Sequence, residues 1–201
     1  MKDIRLIENL KNTIISLSKG EMPEASALVL LLENYREPEI FGFARDLGRE
    51  KALENYGNNV FIRGLIEVSN YCTKNCFYCG IRCGNKEAQR YRLDFEDIMN
   101  CCESGYNAGF RTFVMQGGED PVFNDDFVCR TVAAIKNKYP DCAVTLSLGE
   151  RSYSSYKLLK EAGADRYLLR HETATKEHYE KLHPKSSSFE NRMECLYYLK
   201  E

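Results

Sequence analysis

The run Phe61-Ile62-Arg63-Gly64-Leu65-Ile66-Glu67-Val68 feeds directly into Ser69-Asn70-Tyr71-Cys72-Thr73-Lys74-Asn75-Cys76-Phe77-Tyr78-Cys79-Gly80. The stretch from Val60 to Val68 is strongly β-patterned and predicts a strand. The loop after it carries Cys72, Cys76 and Cys79 at C-x3-C-x2-C spacing. Three residue steps span at most about 10 Å, so one short loop can wrap all three thiols round one small object. Soft thiolates at that density select zinc, copper(I) or an iron–sulfur cluster. A cubane cluster normally takes four thiolates, so three from one loop leave one iron open to a small molecule. The competing reading is a closed structural zinc site with Cys83 as fourth ligand. Zinc sites more often come as two separated pairs, and no second pair follows, so the spacing favours a cluster while leaving zinc open.

Bulk properties narrow the classes. A net charge of −2 gives no electrostatic footprint for nucleic acid or an anionic membrane, and neither is expected as a partner. Met1-Lys2-Asp3-Ile4-Arg5 runs into charge without an apolar core segment. The longest apolar run, Ala27 to Leu32, is too short to cross a bilayer. Nine cysteines in such a chain point to a reducing, cytoplasmic setting, where they are free thiols or metal ligands. Cys101, Cys102, Cys129, Cys142 and Cys195 sit among apolar residues and read as small buried hydrophobes.

Residues 1–57 read as a helical N-terminal segment. Ile4, Ile7, Leu10, Ile14 and Leu17 form one stripe ended by Gly20. Pro23 opens a second helix with Leu28, Leu31, Leu32 and Tyr35 inward, and Pro38 a third that Gly57 stops. Residues 58–201 alternate strand and helix. Strands are expected at Val60–Val68, Thr112–Gln116, Ala143–Leu148 and Arg166–Arg170. Helices are expected after Asp94, from Asp125, from Ser152, at Lys176–Leu182 and at Phe189–Lys200. Four strand–helix repeats predict an α/β fold with a parallel sheet, a partial TIM-type (β/α) barrel. A whole barrel needs eight units and about 250 residues, so the expectation is the N-terminal part of a longer polypeptide.

Polar groups cluster where the strands end, the rim that carries chemistry in such barrels. Gly117-Gly118-Glu119 offers unobstructed N–H groups and a carboxylate for an amine, with a tight turn as the bland alternative. Arg166 and Arg170 lie four apart on one strand face and can grip a carboxylate; solvated outward charges are the alternative. Glu172 continues that face, and Thr145 and Ser147 share a strand face that puts two hydroxyls towards the interior. His171 points the other way, and His178 and His183 read as surface helix residues.

These residues resemble the radical S-adenosylmethionine (SAM) superfamily, by the cysteine loop with Tyr78 before its last cysteine and by Gly117-Gly118-Glu119. Within it the chain most resembles the FeFe-hydrogenase maturase branch, HydE. That likeness is carried by Arg63-Gly64-Leu65-Ile66-Glu67, Tyr91-Arg92-Leu93, Gly118-Glu119-Asp120-Pro121, Thr145-Leu146-Ser147-Leu148-Gly149-Glu150, the run Ala164 to Thr173 and Phe189-Glu190-Asn191-Arg192. The resemblance implies that Cys72, Cys76 and Cys79 hold a 4Fe–4S cluster whose fourth iron binds SAM. Tyr78, Gly117, Gly118, Glu119, Glu172 and Arg192 would then surround SAM, Glu119 at its amine and Arg192 at its carboxylate. An electron would cleave SAM to methionine and a 5′-deoxyadenosyl radical. Thr145, Ser147, Arg166 and Arg170 would hold a carboxylate-bearing substrate, in this branch an iron-complex species on the way to the hydrogenase H-cluster. Partners implied are an electron donor and other hydrogenase maturases. Methylornithine synthase, biotin synthase and a non-enzymatic zinc-binding half-barrel are the alternatives. The family barrel runs well past residue 201, so whether this chain turns over alone depends on strands it does not contain.

Overall fold

A computed structural model describes residues 4–201. The chain divides into two compact units, Met1–Phe61 and Ile62–Glu201.

The first unit holds three helices, α1 (Ile4–Ser18), α2 (Ala25–Glu33) and α3 (Pro38–Tyr56). Pro38 opens α3, where its missing N–H would be unpaired anyway. Gly57 ends it at φ 60°, a conformation that glycine adopts without a Cβ penalty. The core is small: Leu10, Ile14 and Ile40, with Leu6, Ile7, Leu31, Phe43 and Leu47 packed around them. The inward face of α2 is narrower than its pattern suggests. Leu28 and Leu31 are half-buried, but Leu32 and Tyr35 are exposed. Tyr35 lies beyond the helix end, where the 3.6-residue period no longer applies.

The second unit is an open parallel sheet in the order β1 (Gly64–Ser69), β2 (Thr112–Gly117), β3 (Ala143–Ser147), β4 (Arg166–Tyr167). The helices α4 (Phe95–Asn107), α5 (Asp125–Lys138) and α6 (Tyr153–Glu161) connect successive strands. Two more follow, α7 (Lys176–Leu182) and α8 (Phe189–Lys200). This is half of a β/α barrel, as the strand–helix rhythm implies. One sheet face is apolar: Ile66, Val68, Phe113, Met115, Val144 and Leu146 pack with Ile98, Val128, Val132, Ile135 and Leu159 of the helices. The registers Glu67↔Gln116 and Gln116↔Ser147 put three polar side chains side by side on the other face. Period-two alternation therefore builds both the core and a polar wall.

The helix starts follow the sequence signals. Asp94 and Asp97 form a reciprocal capping box on α4, Asn124 caps α5, and Ser152 caps α6 rather than lying inside it. Two strands are shorter than expected. β1 starts at Gly64, because the register begins at Gly64↔Phe113 and residues 60–63 have no pairing partner; Val60, Phe61 and Ile62 are exposed. β4, at one edge of the sheet, keeps regular pairing only over Arg166–Tyr167, with one more bond from Leu168 N–H to Leu146 O (2.8 Å).

Three buried-or-exposed expectations are corrected. Cys101 is exposed and Cys129 half-buried, whereas Cys102, Cys142 and Cys195 are buried as read. His183 is a buried residue, not a surface one. It stacks on Tyr179 (3.8 Å, 16°), and its two nitrogens meet Tyr179 O at 2.8 Å and Tyr78 Oη at 3.2 Å. It caps the C-terminal end of α7, next to Leu182, whose carbonyl accepts from Phe77 N–H of the cysteine loop. His178, within α7, is exposed as expected.

Candidate active site

The cysteine loop leaves the C-terminal end of β1. Backbone hydrogen bonds fix it to two other segments and to itself. Thr73 N–H donates to Glu119 O (3.0 Å), Phe77 N–H to Leu182 O (2.9 Å), and Cys83 N–H to Lys74 O (2.9 Å). At its start a buried network sets the exit angle. The Asp120 carboxylate, with no exposed side-chain surface, accepts from Ser69 Oγ (2.6 Å), Arg92 Nε (2.6 Å) and Val122 N–H (3.2 Å). The Arg92 guanidinium lies 3.7 Å from the Tyr71 ring centre. Burial opposes ionisation of Asp120, but Arg92, Ser69 and the Val122 N–H outweigh it and hold its pKa below the usual carboxylate value.

The two glycines after β2 are there for space. A Cβ on Gly118 would stand 2.4 Å from Tyr71 O and 2.6 Å from Cys72 Cβ, and one on Gly117 3.2 Å from Ser69 O. The cysteine loop can therefore lie directly on the strand-two turn only because both positions lack side chains.

A cavity of about 470 Å³ opens over the strand ends, a size suited to a small-molecule ligand. Cys72, Cys76 and Cys79 line it, together with Tyr78, Gly117, Gly118, Glu119, Ser147, Arg170, Glu172 and Arg192. Residues expected from five separate sequence segments thus share one cavity. Arg166 and Thr145 do not line it. They pair with each other one layer deeper, Thr145 two residues below Ser147, or about 6.6 Å at strand rise. Thr145 is buried with its hydroxyl unpaired, and Arg166 is exposed. Cys83 is exposed and outside the lining.

A charged chain that the sequence did not announce runs along one wall. The Glu150 carboxylate meets Lys74 Nζ (3.0 Å), Asn191 Nδ2 (2.9 Å) and Arg192 Nε (2.8 Å). Arg192 Nε and Glu150 Oε1 are close but not aligned as a hydrogen bond, so their contact is a charge pair. Glu150 N–H donates to Glu119 Oε1 (3.1 Å), and Lys74 Nζ stands 3.5 Å from Glu119 Oε2. Arg192 also donates to Arg170 O (3.0 Å). Burial pushes the Glu119 pKa up, against the pull of the Glu150 N–H and Lys74. Burial works against the charge on Lys74 and on Arg192, yet their carboxylate neighbours raise both pKa values. No spacing rule links residues 74, 119, 150 and 192; the one available signal was the position of Glu150 at a strand end.

Glu172 has φ 65°, the one positive φ outside glycine among the described residues. Thr173 N–H closes on His171 O (2.8 Å), a γ-turn centred on Glu172. Such a conformation costs of order 1–3 kcal/mol and persists where its surroundings impose it, commonly at ligand sites.

The thiols suit a soft metal group. Burial raises the pKa of Cys72 and Cys76, with Glu119 and Cys79 adding to it at Cys72 and the Cys72 and Cys79 thiols at Cys76, so metal loading must displace protons. The Lys74 N–H already points at Cys72 Sγ (3.4 Å). A single zinc ion needs its ligands about 2.3 Å from one point. Among the described residues no three His, Cys, Asp or Glu side chains gather so closely. Three thiols lining one cavity are the donor set that leaves one iron of a cubane cluster open.

The Radical SAM superfamily model matches residues 66–201, more than half of the chain and the whole of this site. The chain belongs to the radical SAM superfamily. Enzymes of that superfamily use a 4Fe–4S cluster and SAM. The chain is 50% identical over 145 residues to the [FeFe] hydrogenase maturase subunit HydE of Thermotoga maritima, covering 72% of this chain and 41% of that one. It is 33% identical over 175 residues to 3-methylornithine synthase of Methanosarcina acetivorans, covering 86% and 48%. Among solved structures, methylornithine synthase (PylB) superposes with a TM-score of 0.78 at 26% identity, over 95% of this chain and 55% of that one. The chain thus spans about half the length of the curated relatives it matches. Among the described residues no helix is long and apolar enough to cross a membrane.

Proposed function

We propose that this chain carries the cluster- and SAM-binding half of a radical SAM enzyme of the HydE type, acting in FeFe-hydrogenase maturation. The observation that carries the reading is the single cavity lined by three cysteine thiols, the Gly117–Gly118–Glu119 turn, Ser147, Arg170, Glu172 and Arg192. The preference for the HydE branch rests on 50% identity there against 33% for methylornithine synthase.

Cys72, Cys76 and Cys79 would hold the 4Fe–4S cluster, which supplies the electron for reductive cleavage of SAM. Glu119 would accept the SAM amine, its carboxylate steered by the Glu150 N–H. Arg192, buried and held by Glu150, would face the SAM carboxylate. Glu172 and Tyr78 would close on the nucleoside. Ser147 and Arg170 would hold a carboxylate-bearing substrate at cavity depth, with Thr145 and Arg166 supporting one layer below. The wall's physical task is to exclude water and competing hydrogen donors. A cytoplasmic location, an electron donor and other maturases as partners follow from the same reading.

Anaerobic reconstitution with iron and sulfide tests it. The expected result is about four irons per chain, as three thiolates of a cubane require, and an EPR signal that shifts on adding SAM. One tightly held zinc, lost in Cys83→Ala, would refute it.

A further inference from the structure

The loop bearing the three thiols has no regular secondary structure between Asn70 and Tyr91, apart from turns. Two bonds join its limbs in the middle, Cys83 N–H to Lys74 O (2.9 Å) and Gly84 N–H to Asn75 Oδ1 (3.1 Å), and at its ends they are joined by one side chain, Arg90. Its Nη1 donates to Asn70 O and to Ile81 O (2.8 Å), and its Nη2 to Arg82 O (2.8 Å) and Asn85 O (2.9 Å). Asn70 precedes the first cysteine by two residues, and Ile81 follows the last by two. All four N–H bonds of the terminal nitrogens are spent on backbone carbonyls, so this guanidinium has no free fork for an anion or a substrate. Arg92, two residues on, spends its fork on the Asp120 carboxylate instead.

Secondary contacts converge on the same closure. Asn70 Oδ1 accepts from Tyr91 N–H (2.8 Å), and Asn70 Nδ2 donates to Gln89 O (2.6 Å). On the other limb Asn85 Nδ2 donates to Gly80 O (2.7 Å), and Arg82 Nη1 to Cys79 O (2.9 Å). Arg90 joins these two local sets. Four carbonyl dipoles aimed at one half-buried cation are a costly arrangement to lose, since each would need a new donor.

We propose that Arg90 is a positioning residue that fastens the start of the cysteine loop to its end, holding Cys72, Cys76 and Cys79 in cluster-binding register before metal arrives. The proposal rests on the cluster reading for its consequence, but the closure itself is a property of the metal-free chain. A lysine has three donors on one nitrogen and cannot span four carbonyls on two limbs.

The test compares wild type, Arg90→Met and Arg90→Lys. In metal-free protein, amide hydrogen exchange over residues 70–85 should be about tenfold faster or more in Arg90→Met, the loss of a charge-assisted bond or more, with helix and sheet amides unchanged. Arg90→Lys should fall between. In anaerobically reconstituted protein, a ferrous chelator should strip iron from Arg90→Met faster by a similar factor. Exchange within twofold of wild type in both variants overturns the proposal, and equal iron release overturns its link to the cluster. Should Arg90→Met not fold, Arg90→Lys decides: wild-type exchange there is the negative result. If wild type itself takes up no iron, the cluster reading fails, while the exchange data still judge the closure.

Discussion

Replacing Glu150 by glutamine removes the one anion between two cations without changing side-chain volume. The side chains of Glu150 and Arg192 are 7% and 9% exposed. Breaking such a buried pair from one side costs about 3–5 kcal/mol, because the remaining charge stays desolvated. Lys74 is 28% exposed and keeps Glu119 nearby, so its share is screened and adds little. The lower end, about 3 kcal/mol, is therefore expected. At about 2–4 °C per kcal/mol for a domain of this size, the melting temperature should fall by roughly 6–12 °C. The assay is thermal unfolding of Glu150→Gln followed by circular dichroism at pH 7, with Arg192→Met and the double variant completing a cycle. Removing both charges should recover part of the loss, with a coupling of about 1.5 kcal/mol or more. A drop below about 2 °C, or strictly additive single changes, would show that Glu150 does not neutralise Arg192.

Two further outcomes are expected. Asp120 has a pKa lowered from 3.8, so its stabilisation is complete above that value and is lost as pH falls through the depressed pKa; Asp120→Asn should flatten that acid limb in unfolding measurements from pH 5 to 2. Gly118→Ala forces a Cβ to within 2.4 Å of the Tyr71 carbonyl, so it should cost about 1–3 kcal/mol and reduce iron loading; a variant with wild-type melting and full iron content would disprove the close packing of the two loops.

The barrel half was legible because its cues are local. Alternating apolar residues in 64–68, 112–116 and 143–147, helix caps at Asp94 and Ser152, and stops at Gly57 and Gly109 each act within a few residues of themselves. The edges were less legible. Pairing needs a neighbour, and neither 60–63 nor 168–170 has one on both sides. His183 was misread because helical position alone cannot say that the Tyr78 hydroxyl and the Tyr179 ring lie beside it.

What the sequence by itself determined was the soft-donor loop, the parallel strand–helix order and the rim on which polar residues would gather. Those depend on spacing along the chain, where the geometry of a few bonds is enough. Only the tertiary structure decided that Arg166 and Thr145 lie a layer below the cavity, that Glu150 binds Lys74 and Arg192, and that Arg90 closes the cysteine loop. Those are matters of depth and of meetings between distant segments, and buried charges declare their partners only once folding has removed the water between them.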